Sequence, residues 1–562
     1  MCGIFSLLND SGFSYDIKNT QFEKGKNRGP EYSKLKPFLN YNLSLGFHRL
    51  AINGLNKKSN QPITFQKIFL VCNGEIYNYK YLYQLMDVNP ETDSDCEVII
   101  HLYLRYGIEQ TLQMLDGVFA FVLFDSNNSN IYVARDPFGV RPLYQLSNLT
   151  NYSLIGFASE LKCLNEFVNI DDSIISSNNS NITQTKIVQF TPGTYSIFNY
   201  KNYIWSNSKQ NIPFIIPTFS SPNNKFDWPV YFENIIDTLT KSVEKRCLAT
   251  ERPIACLLSG GLDSSLIAAL VNEFYRTKNV GKKLETYSIG LVGSEDLKYA
   301  RIVADYLDTN HTEIIVTEKE MFDAIPEVIR AIESYDTTTV RASIGNYLLG
   351  KYISKNSDAK VIFNGDGSDE LAGGYLYMRN CHDSIEFDKE TRRLLKDIHL
   401  FDVLRSDKSI SSHGLEPRTP FLDRNFVNYY LSIPPYARNY TNFEQCEKYL
   451  IRKSFSLPIF ENVSGRQILP DEILWRKKEA FSDGVTGHGR SLFQILQEFI
   501  SVELNLPANI ETEKIYYKTI FEKYYPNMSY ILPYFWMPKY TNATDPSART
   551  LSVYNIKNSS SA

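Results

Sequence analysis

The stretch LLSGGLDSS, residues 257–265, connects an apolar run, PIAC, to a helix-like pattern that continues as LIAALVNEFYR. Free backbone N–H groups at a strand-to-helix junction, together with the helix dipole, favour the binding of an anion. Gly260 and Gly261 let the backbone approach phosphate oxygens because neither carries a Cβ. No lysine stands where a Walker A loop requires one, which argues against a simple β,γ-cleaving NTPase. The stretch therefore predicts a phosphate-binding loop, with a Gly-Ser turn that caps a helix as the alternative.

The patterns on either side of this loop indicate the fold of the second half of the chain. YFENIIDTLTKSVEKRCL, which precedes it, is typical of an amphipathic helix, and LETYSIGLV, which follows it, is typical of a strand. Strands and helices that alternate at this spacing predict an α/β domain with a parallel sheet.

A second candidate site element is VIFNGDGSDELAGGY, residues 361–375, which repeats the strand, turn and helix with more acidic side chains. Asp366, Asp369 and Glu370 beside a phosphate loop suit Mg²⁺ ligands or a base for an incoming amine. An acid-rich helix N-terminus is the alternative. Downstream, ILWRKKEAFSDGV supplies Lys477 and Lys478, which are candidates for neutralising phosphate charge, with a surface basic pair as the alternative.

The first half of the chain has a different pattern. IFLVCNGEIYN, GVFAFVLFDSNNSNIYVARDPFG and YSLIGFASE indicate strands and hairpins, and SDCEVIIHLYLRYG indicates a helix. Many strands with a helix or two predict a layered α+β domain. The polar run 171–186 is interpreted as a surface insertion, and the Pro-, Asn- and Ser-rich run 206–229 as an interdomain linker.

Composition limits the class of protein. A chain of 562 residues is too long for one core, and 43% hydrophobic with 22% charged residues is typical of a soluble globular protein. A net charge of −4 argues against a nucleic-acid or membrane-surface protein, and no membrane span or secretory signal is visible. The eight cysteines show no metal-ligand or disulfide spacing, so we expect reduced thiols and a cytoplasmic location.

Cys2 is shielded only by the initiator Met1. Removal of the methionine would leave a thiol and a free α-amine on one residue, and the amine, with a pKa of about 7.7–8.0, can act as base for the thiol. The alternative is that a small residue at position 2 serves processing alone.

The order of several motifs resembles the glutamine-hydrolysing asparagine synthetase family. SGGLDSS, SIG, SYDTTTVRAS, NGDGSDE, GLEPRTPFLD, KEAFSDG and TDPSART follow one another as in that family, and the resemblance extends from end to end apart from the insertion near 171–186 and the last few residues. It implies a layered α/β/β/α glutaminase of the N-terminal nucleophile type joined to an α/β domain with a parallel sheet of the adenine nucleotide α-hydrolase type. The boundaries that we predict are 2–192 for the class II glutamine amidotransferase domain, 193–213 for the linker, 214–540 for the synthetase domain and 541–562 for a C-terminal tail.

In the glutaminase domain, the resemblance implies that Cys2 is the nucleophile and that its own α-amine is the base. Asn73 and Gly74 would form the oxyanion hole, and Arg49 would bind the α-carboxylate of glutamine. Asp95 would accept from the α-ammonium group of the substrate. The remaining implied glutamine-binding residues are Leu50, Ala51, Ile52, Asn53 and Glu75.

In the synthetase domain, the resemblance implies a site for ATP, Mg²⁺ and an activated intermediate. The implied ATP-binding residues are Leu258, Ser259, Gly260, Gly261, Asp263, Ser264, Ser265, Ile289, Asn364 and Gly365. Asp263 and Asp369 would hold Mg²⁺, and the intermediate would be stabilised by Thr338, Arg341, Asp369, Glu370 and Lys478. The family usually reads Ser-Gly-Glu-Gly-Ser-Asp-Glu where this chain has Asn364 and Asp366 in place of the serine and the first glutamate, and Asp366 is the implied catalytic carboxylate.

The function implied by the resemblance is ATP-dependent synthesis of L-asparagine from L-aspartate and L-glutamine. A β-aspartyl-AMP intermediate would form, and AMP, pyrophosphate and L-glutamate would be released. We expect small-molecule substrates, no nucleic acid, no membrane and a homodimer. The alternatives are a related adenylating amidotransferase that acts on another carboxylate, as β-lactam synthetases do, and an impaired regulatory homologue.

Overall fold

The computed structural model describes residues 2–147, 154–168, 185–221, 226–278, 281–443, 445–460, 465–487 and 489–554. The predicted insertion at 171–186 lies outside the described residues except for its last two positions. In the described part of the chain, no helix combines the length and the apolar composition that crossing a membrane requires.

The N-terminal domain contains two six-stranded sheets, with orders β10-β8-β9-β1-β3-β2 and β12-β11-β7-β6-β5-β4. Its strands are β1 (Gly3–Leu8), β2 (Tyr32–Phe38), β3 (Leu43–Arg49), β4 (Ile63–Phe65), β5 (Ile68–Ile76), β6 (Gly117–Asp125), β7 (Asn130–Arg135), β8 (Tyr144–Ser147), β9 (Ile155–Ala158), β10 (Lys186–Gln189), β11 (Thr194–Lys201) and β12 (Ile204–Pro213). Its labelled helices are α1 (Tyr15–Glu23), α2 (Tyr79–Met86) and α3 (Val98–Met114).

Both faces of the central strands are buried, which produces four layers. In β1, Ile4 and Leu8 face the core between the sheets, whereas Phe5 and Leu7 face the core that includes Phe22 of α1. In β6 and its neighbours the outer face packs on α2 and α3. Side chains alternate between faces along a strand, so a strand with apolar residues at both parities must be covered on both sides. The predicted α/β/β/α layering is confirmed.

The C-terminal domain is built on a five-stranded parallel sheet with the order β15-β14-β13-β16-β17. Its strands are β13 (Ile254–Leu257), β14 (Glu285–Gly290), β15 (Asn310–Ile315), β16 (Val361–Phe363) and β17 (Glu416–Arg418). Because β13 and β16 are parallel neighbours, the two loops that follow them emerge at the same edge of the sheet. The predicted parallel α/β fold is confirmed.

The helices of this domain cover the sheet, and they also form most of the C-terminal half of the domain. They are α4 (Trp228–Leu248), α5 (Leu262–Lys278), α6 (Glu295–Leu307), α7 (Glu318–Asp323), α8 (Ile325–Ile332), α9 (Thr337–Asn356), α10 (Ser368–Ala372), α11 (Ser384–Asp397), α12 (Asp402–Ser411), α13 (Arg424–Ser432), α14 (Pro435–Arg438), α15 (Tyr449–Ser454), α16 (Asp471–Leu474), α17 (Phe481–Gly484), α18 (Leu492–Leu504) and α19 (Ile510–Tyr524).

The structure corrects the predicted linker. Residues 193–213 are not a linker, because β11 and β12 occupy nearly all of this range, and β12 also takes the first part of the run 206–229. β12 is an edge strand with mostly exposed residues, so it lacks the apolar alternation by which a strand is recognised. The predicted tail is also packed in part, since Asp545, Leu551 and Val553 are buried.

Candidate active sites

Cys2 lies at the point where the two sheets of the N-terminal domain face each other. Its backbone nitrogen is 3.1 Å from Oδ1 of Asn73 on β5, and its thiol is 3.6 Å from the carbonyl oxygen of Leu50, which follows β3. Arg28 Nε donates to the carbonyl oxygen of Cys2 at 3.0 Å. The half-buried Cys2 is thus held on three sides by residues distant in sequence.

The Cys2 thiol is a weak acid in this setting. Burial raises the pKa of the Cys2 thiol to about 11, so the thiol keeps its proton at neutral pH. Attack on a substrate therefore requires a nearby base.

Asn73 and Gly74 lie side by side on β5, as the predicted oxyanion hole requires. Asn73 Nδ2 is 3.5 Å from the Ser159 hydroxyl, a weak contact that leaves an amide hydrogen for another acceptor. A Cβ on Gly74 would lie 2.6 Å from the carbonyl oxygen of Val118, so only glycine fits there. A larger residue at position 74 would therefore push β5 away from the neighbouring strand β6.

Several predicted glutamine-binding residues lie at the end of β3, next to the Leu50 carbonyl that contacts Cys2. Arg49 donates to the carbonyl oxygen of Asn56 at 2.9 Å and to Asn60 Oδ1 at 2.6 Å, and also to the carbonyl oxygens of Asn53 and Gly54. Its guanidinium therefore ties the loop after β3 to the strand. Leu50, Ala51 and Ile52 are buried beside it.

Two buried carboxylates lie close to this loop. Asp95 Oδ2 accepts from the Ile76 backbone at 2.7 Å, and burial raises the pKa of Asp95 to about 6. Glu75 accepts from Asn53 Nδ2 at 2.7 Å, and burial raises the pKa of Glu75 well above its usual range. Asp95 is therefore charged at neutral pH and becomes neutral in mild acid.

A cavity of about 200 Å³ opens at the carboxyl edge of the parallel sheet. The predicted residues that line it are Leu258, Ser259, Gly261, Asp263, Ser264, Ile289, Thr338, Asn364, Gly365, Asp366, Asp369, Glu370 and Lys478. The loops that follow β13 and β16 are in close contact: a Cβ on Gly365 would lie only 2.7 Å from the backbone of Asp263 and of Ser264. The two stretches singled out in the sequence thus form one site.

The phosphate-loop prediction agrees with the backbone geometry. Gly260 has φ of 70°, and a Cβ there would lie 2.4 Å from the backbone of Tyr299 in α6. The Ser264 hydroxyl accepts from the Ser259 backbone at 3.1 Å, which closes the turn before α5. Ser265, one residue further along, is buried in α5 and does not line the cavity.

Two lysines and two aspartates form a charged group at the mouth of this loop. Lys448 lies 2.5 Å from both Asp263 Oδ2 and Asp369 Oδ1, and Lys478 lies 2.5 Å from Asp369 Oδ2. Although burial works in the opposite direction, the two lysines hold the pKa of Asp369 below its usual range. Likewise, Asp369 and Asp263 hold the pKa of Lys478 above its usual range against the effect of burial. Asp369 and Lys478 are therefore both charged at neutral pH.

Asp366 lies in the turn and first helical residues after β16, residues 364–370, which we name the acidic loop, and it faces helix α12. Arg405 Nη2 donates to Asp366 Oδ1 at 3.2 Å, and Arg405 Nε donates to Asp402 at 2.9 Å. The Tyr375 hydroxyl lies 2.6 Å from Glu370 and 2.8 Å from Asp402. Burial raises the pKa of Asp366, and burial next to Asp402 raises the pKa of Glu370.

Comparison with known proteins agrees with this arrangement of two sites. A glutamine amidotransferase domain model matches residues 1–206, and an asparagine synthase model matches residues 234–386 and 379–530. Asparagine synthetase [glutamine-hydrolyzing] of Gallus gallus is 41% identical over 580 residues, which cover 99% of each chain. The proteins of that name from Cricetulus griseus and Homo sapiens are each 39% identical, again over 99% of both chains. The chain belongs to the asparagine synthetase family.

Like Ser265, Arg341 has a predicted role in this asparagine synthetase family member and lies outside the cavity. Arg341, on α9, forms a bidentate pair with Asp545 at 2.8 Å and a second pair with Glu513. It is buried and does not line the cavity, whereas its neighbours Thr338 and Ala342 do. The structure therefore places Arg341 among C-terminal residues.

Several cavity residues of this family member were missed by the sequence reasoning. Lys448, Arg405, Asp402 and Tyr375 line the cavity, as does Arg476, which lies 3.1 Å from Asp296. Lys448, Arg405 and Asp402 stand in helices or turns of mixed composition, where a lone cation or acid resembles ordinary surface. Tyr375 and Arg476 lie within stretches that the sequence analysis singled out, but their own roles were not predicted. Only the i, i+3 spacing of Asp402 and Arg405 could have indicated a pair on one helical face.

The two sites of the asparagine synthetase fold are joined by a buried, charged interface. Helix α12 presents Arg405 and Ser406 to the acidic loop, and its other residues Asp407 and Ser411 contact Arg28 of the first domain at 2.8 Å. Arg28, in turn, contacts Cys2. One helix thus links the surroundings of both sites.

Proposed function

We propose that this chain synthesises L-asparagine from L-aspartate, L-glutamine and ATP, and releases L-glutamate, AMP and pyrophosphate. The observation that carries the proposal is the presence, in one chain, of Cys2 against Asn73 and of a cavity built on the loop 257–265. Arg28 and Arg141 of the first domain form buried ion pairs with Asp407 of the second domain, so the two sites belong to one packed unit.

The first half-reaction takes place at Cys2. After removal of Met1, the α-amine of Cys2 takes the thiol proton, and the sulfur attacks the side-chain amide carbon of glutamine. Asn73 Nδ2 and the backbone N–H of Gly74 stabilise the resulting oxyanion. The protonated α-amine then gives its proton to the leaving nitrogen, so that collapse of the tetrahedral intermediate releases ammonia and leaves a thioester. Water then cleaves the thioester, which yields glutamate and regenerates the thiol.

The position of Asn73 is consistent with this role. Its Oδ1 accepts from the nitrogen of Cys2, so the same side chain orients the base and can donate its amide hydrogen to the oxygen of the reacting carbonyl group. Asp95 and Arg49 would bind the α-ammonium and α-carboxylate groups of glutamine, and Arg49 would then use donors that now hold the loop at 53–60.

The second half-reaction takes place on the phosphate loop. A β-carboxylate oxygen of aspartate attacks the α-phosphorus of ATP, the bond to pyrophosphate breaks, and β-aspartyl-AMP forms. Ammonia then attacks the acyl carbon and displaces AMP, losing a proton to a nearby carboxylate. Lys448 and Lys478 would offset the charge of the leaving pyrophosphate, and Asp366 is the proposed carboxylate at the acyl carbon.

The residues of this site also fit Mg²⁺. Among the described residues, Asp263 Oδ1 is buried without a hydrogen-bond donor. Asp369 is close to Asp263, because Lys448 forms an ion pair with both carboxylates. One or two carboxylates together with substrate phosphates form the usual magnesium site of nucleotide enzymes. Asp263 and Asp369 would hold the ion, which would neutralise phosphate charge when bound.

The products of turnover test the proposal. Purified protein with glutamine, aspartate, ATP and Mg²⁺ is expected to yield asparagine and glutamate, and phosphorus NMR is expected to show AMP and pyrophosphate. ADP and orthophosphate as main products would overturn the assignment of residues 257–265. Turnover of another carboxylate but not aspartate would favour the related adenylating enzyme. Glutamine hydrolysis without consumption of ATP would favour the impaired homologue.

The cytoplasmic location and the homodimer remain predictions.

A further inference from the structure

The loop that carries Lys478 has no regular secondary structure of its own. Residues 475–480 connect α16 to α17, and Lys478, Glu479 and Ala480 line the cavity. On the inner side, Lys478 is held by Asp369. A loop of this kind needs a second fixed point if the ammonium group is to keep one position.

The second fixed point lies at residues 545–554, which we name the C-terminal segment. Arg549 Nε donates to Glu479 Oε1 at 2.8 Å, and the Tyr554 hydroxyl donates to Glu479 Oε2 at 2.9 Å. Lys477 Nζ donates to the carbonyl oxygen of Tyr554 at 2.5 Å and lies 4.4 Å from the centre of its ring. Both neighbours of Lys478 in the sequence are therefore bound to this segment.

The C-terminal segment is itself attached to the domain by buried contacts. Asp545 accepts from Arg341 at 2.8 Å and from Gln497 at 3.1 Å, and the Ser547 hydroxyl donates to Asp483 at 2.9 Å. Leu551 and Val553 are buried in a cluster with Trp536 and with residues that follow the acidic loop. The anchors belong to α9, α17 and α18, so the segment is fixed to the helices around the cavity.

The segment also reaches the site directly. Ala548, which lies between Asp545 and Arg549 in the sequence, lines the cavity, so the segment forms part of the cavity wall. Arg549 continues the attachment outward through Thr486 Oγ1 at 3.2 Å and the carbonyl oxygen of Gly487 at 3.1 Å. The guanidinium of Arg549 thus joins Glu479, which precedes α17, to Thr486 and Gly487, which follow α17.

We propose that the C-terminal segment is a positioning element of the synthetase site: Arg549 and Tyr554 hold Glu479, and through it place Lys478 against Asp369 and the substrate. Arg341 is a positioning residue of the same element, because it anchors Asp545 and does not contact the cavity. This inference rests on the proposed role of Lys478 in the synthetase reaction. It assigns a role to the stretch TDPSARTLSVY, residues 544–554, which has no role in the two half-reactions described above.

The decisive experiment is a double-mutant cycle between Arg549 and Glu479. Arg549→Ala is expected to lower kcat for ammonia-dependent asparagine synthesis about ten- to a hundredfold, since a displacement of about 1 Å at a catalytic group costs about that much. KM for ATP is expected to change less than about threefold, because a transition-state contact is weakened. In a Glu479→Ala background, Arg549→Ala is expected to have almost no further effect.

Three comparisons separate positioning from loss of structure. The glutaminase rate of Arg549→Ala is expected to equal that of the unaltered protein, and Arg549→Lys is expected to recover part of the loss. Arg490→Ala is the matched control, since it removes only exposed ion pairs with Glu318 and Glu498 and is expected to leave both rates unchanged. If Arg549→Ala does not fold, Tyr554→Phe, which removes one hydroxyl, is expected to lower the same kcat by a smaller factor.

The outcomes distinguish this inference from the proposed function. Lys478→Met is measured in parallel and is expected to lose synthesis but keep glutaminase activity. An active Lys478→Met would refute the role of Lys478 itself. An impaired Lys478→Met with a fully active Arg549→Ala, or strictly additive effects of Arg549 and Glu479, would refute the positioning role of the C-terminal segment.

Discussion

The side-chain oxygen of Asn73 accepts a hydrogen bond from the backbone nitrogen of Cys2 across 3.1 Å, although 71 positions separate the two residues in the chain. The contact joins the start of β1 in one sheet to β5 in the other, so it depends on the packing of both sheets. It places the predicted base, nucleophile and oxyanion donor within one hydrogen-bonded unit, which is the arrangement that amide hydrolysis requires.

Cys2→Ala is expected to abolish glutamine-dependent asparagine synthesis and to leave synthesis from ammonium salts largely intact. The thiol serves only amide hydrolysis, and removal of a nucleophile costs several orders of magnitude in its own step. The measurement is asparagine formation with each nitrogen donor. A protein that retains Met1, verified by mass spectrometry, is expected to behave like Cys2→Ala because its base is acylated. Equal loss of both activities in a folded variant would contradict the presence of two separate sites.

Glutamine affinity is expected to fall as the pH is lowered through about 6. The burial that raises the pKa of Asp95 to about 6 leaves its carboxylate charged above that pH and neutral below it, so the attraction for an α-ammonium group is lost in acid. Nearby charges at Glu75, Glu416 and Arg418 also act on this carboxyl group. Calorimetric titration of glutamine into Cys2→Ala between about pH 5 and 7.5 measures binding without hydrolysis.

The control for that titration is the double variant Cys2→Ala/Asp95→Asn. It is expected to bind glutamine weakly and without the change near pH 6, because the titrating group is gone. A change in affinity near pH 6 that persists in the double variant would assign the titration to another group.

Lys408→Met is expected to destabilise the protein by about 1.5–3 kcal/mol, because Glu333 loses a buried charged donor while Lys162 stays near both carboxylates. Lys408 pairs with Glu333 of its own domain and lies 3.7 Å from Glu160 of the glutaminase domain, and all three side chains are buried. The measurement is the urea dependence of unfolding. Lys319→Met, which removes an exposed pair with Asp323, is the control and is expected to change stability by less than about 0.5 kcal/mol. Similar small effects for both variants would show that the interface pair is not stabilising.

The parts of the fold that the sequence predicted are those with strong local patterns. β13 ends at Leu257 and α5 begins at Leu262, on either side of the glycines, because an apolar strand, a Gly-Ser turn and an amphipathic helix each have a clear signature. β12 was missed because it lies at a sheet edge and exposes most of its side chains.

The site was predictable where its residues stand in glycine- or acid-rich turns, and not where they stand in helices. Lys448 lies 2.5 Å from Asp263 and Asp369, yet it occurs in EKYLIRK, where nothing distinguishes one lysine from its neighbours. Its role depends on how α15 packs against the sheet, a long-range contact that no local pattern contains. The same holds for Arg341: the family resemblance implied a contact with the activated intermediate, but its partners in the structure are Glu513 and Asp545.

Asn364 and Asp366, the two departures from the usual family pattern, are connected to each other and to the same helix. The backbone nitrogen of Asp366 is 3.3 Å from Asn364 Oδ1, and Asn364 Nδ2 donates to the hydroxyl of Ser406 at 2.7 Å. Asp366 accepts from Arg405, the residue before Ser406 in α12. A serine at 364 would be too short to make both contacts in this way, so the asparagine helps to set where the shorter carboxylate of Asp366 lies.

We therefore expect the pair to act as a unit in the synthetase reaction. Asp366→Glu alone is expected not to improve the rate, because the extra methylene would enter a loop that Asn364 already holds toward the cavity, whereas Asp366→Glu with Asn364→Ser is expected to be active. Asp366→Asn is expected to lower asparagine formation far more than glutaminase activity, since it removes the charge and leaves Cys2 untouched. The measurement is a double-mutant cycle on the ammonia-dependent rate, with glutaminase activity as the control for folding. Strictly additive effects would refute the coupling between the two positions, and a fully active Asp366→Asn would refute a catalytic role for this carboxylate.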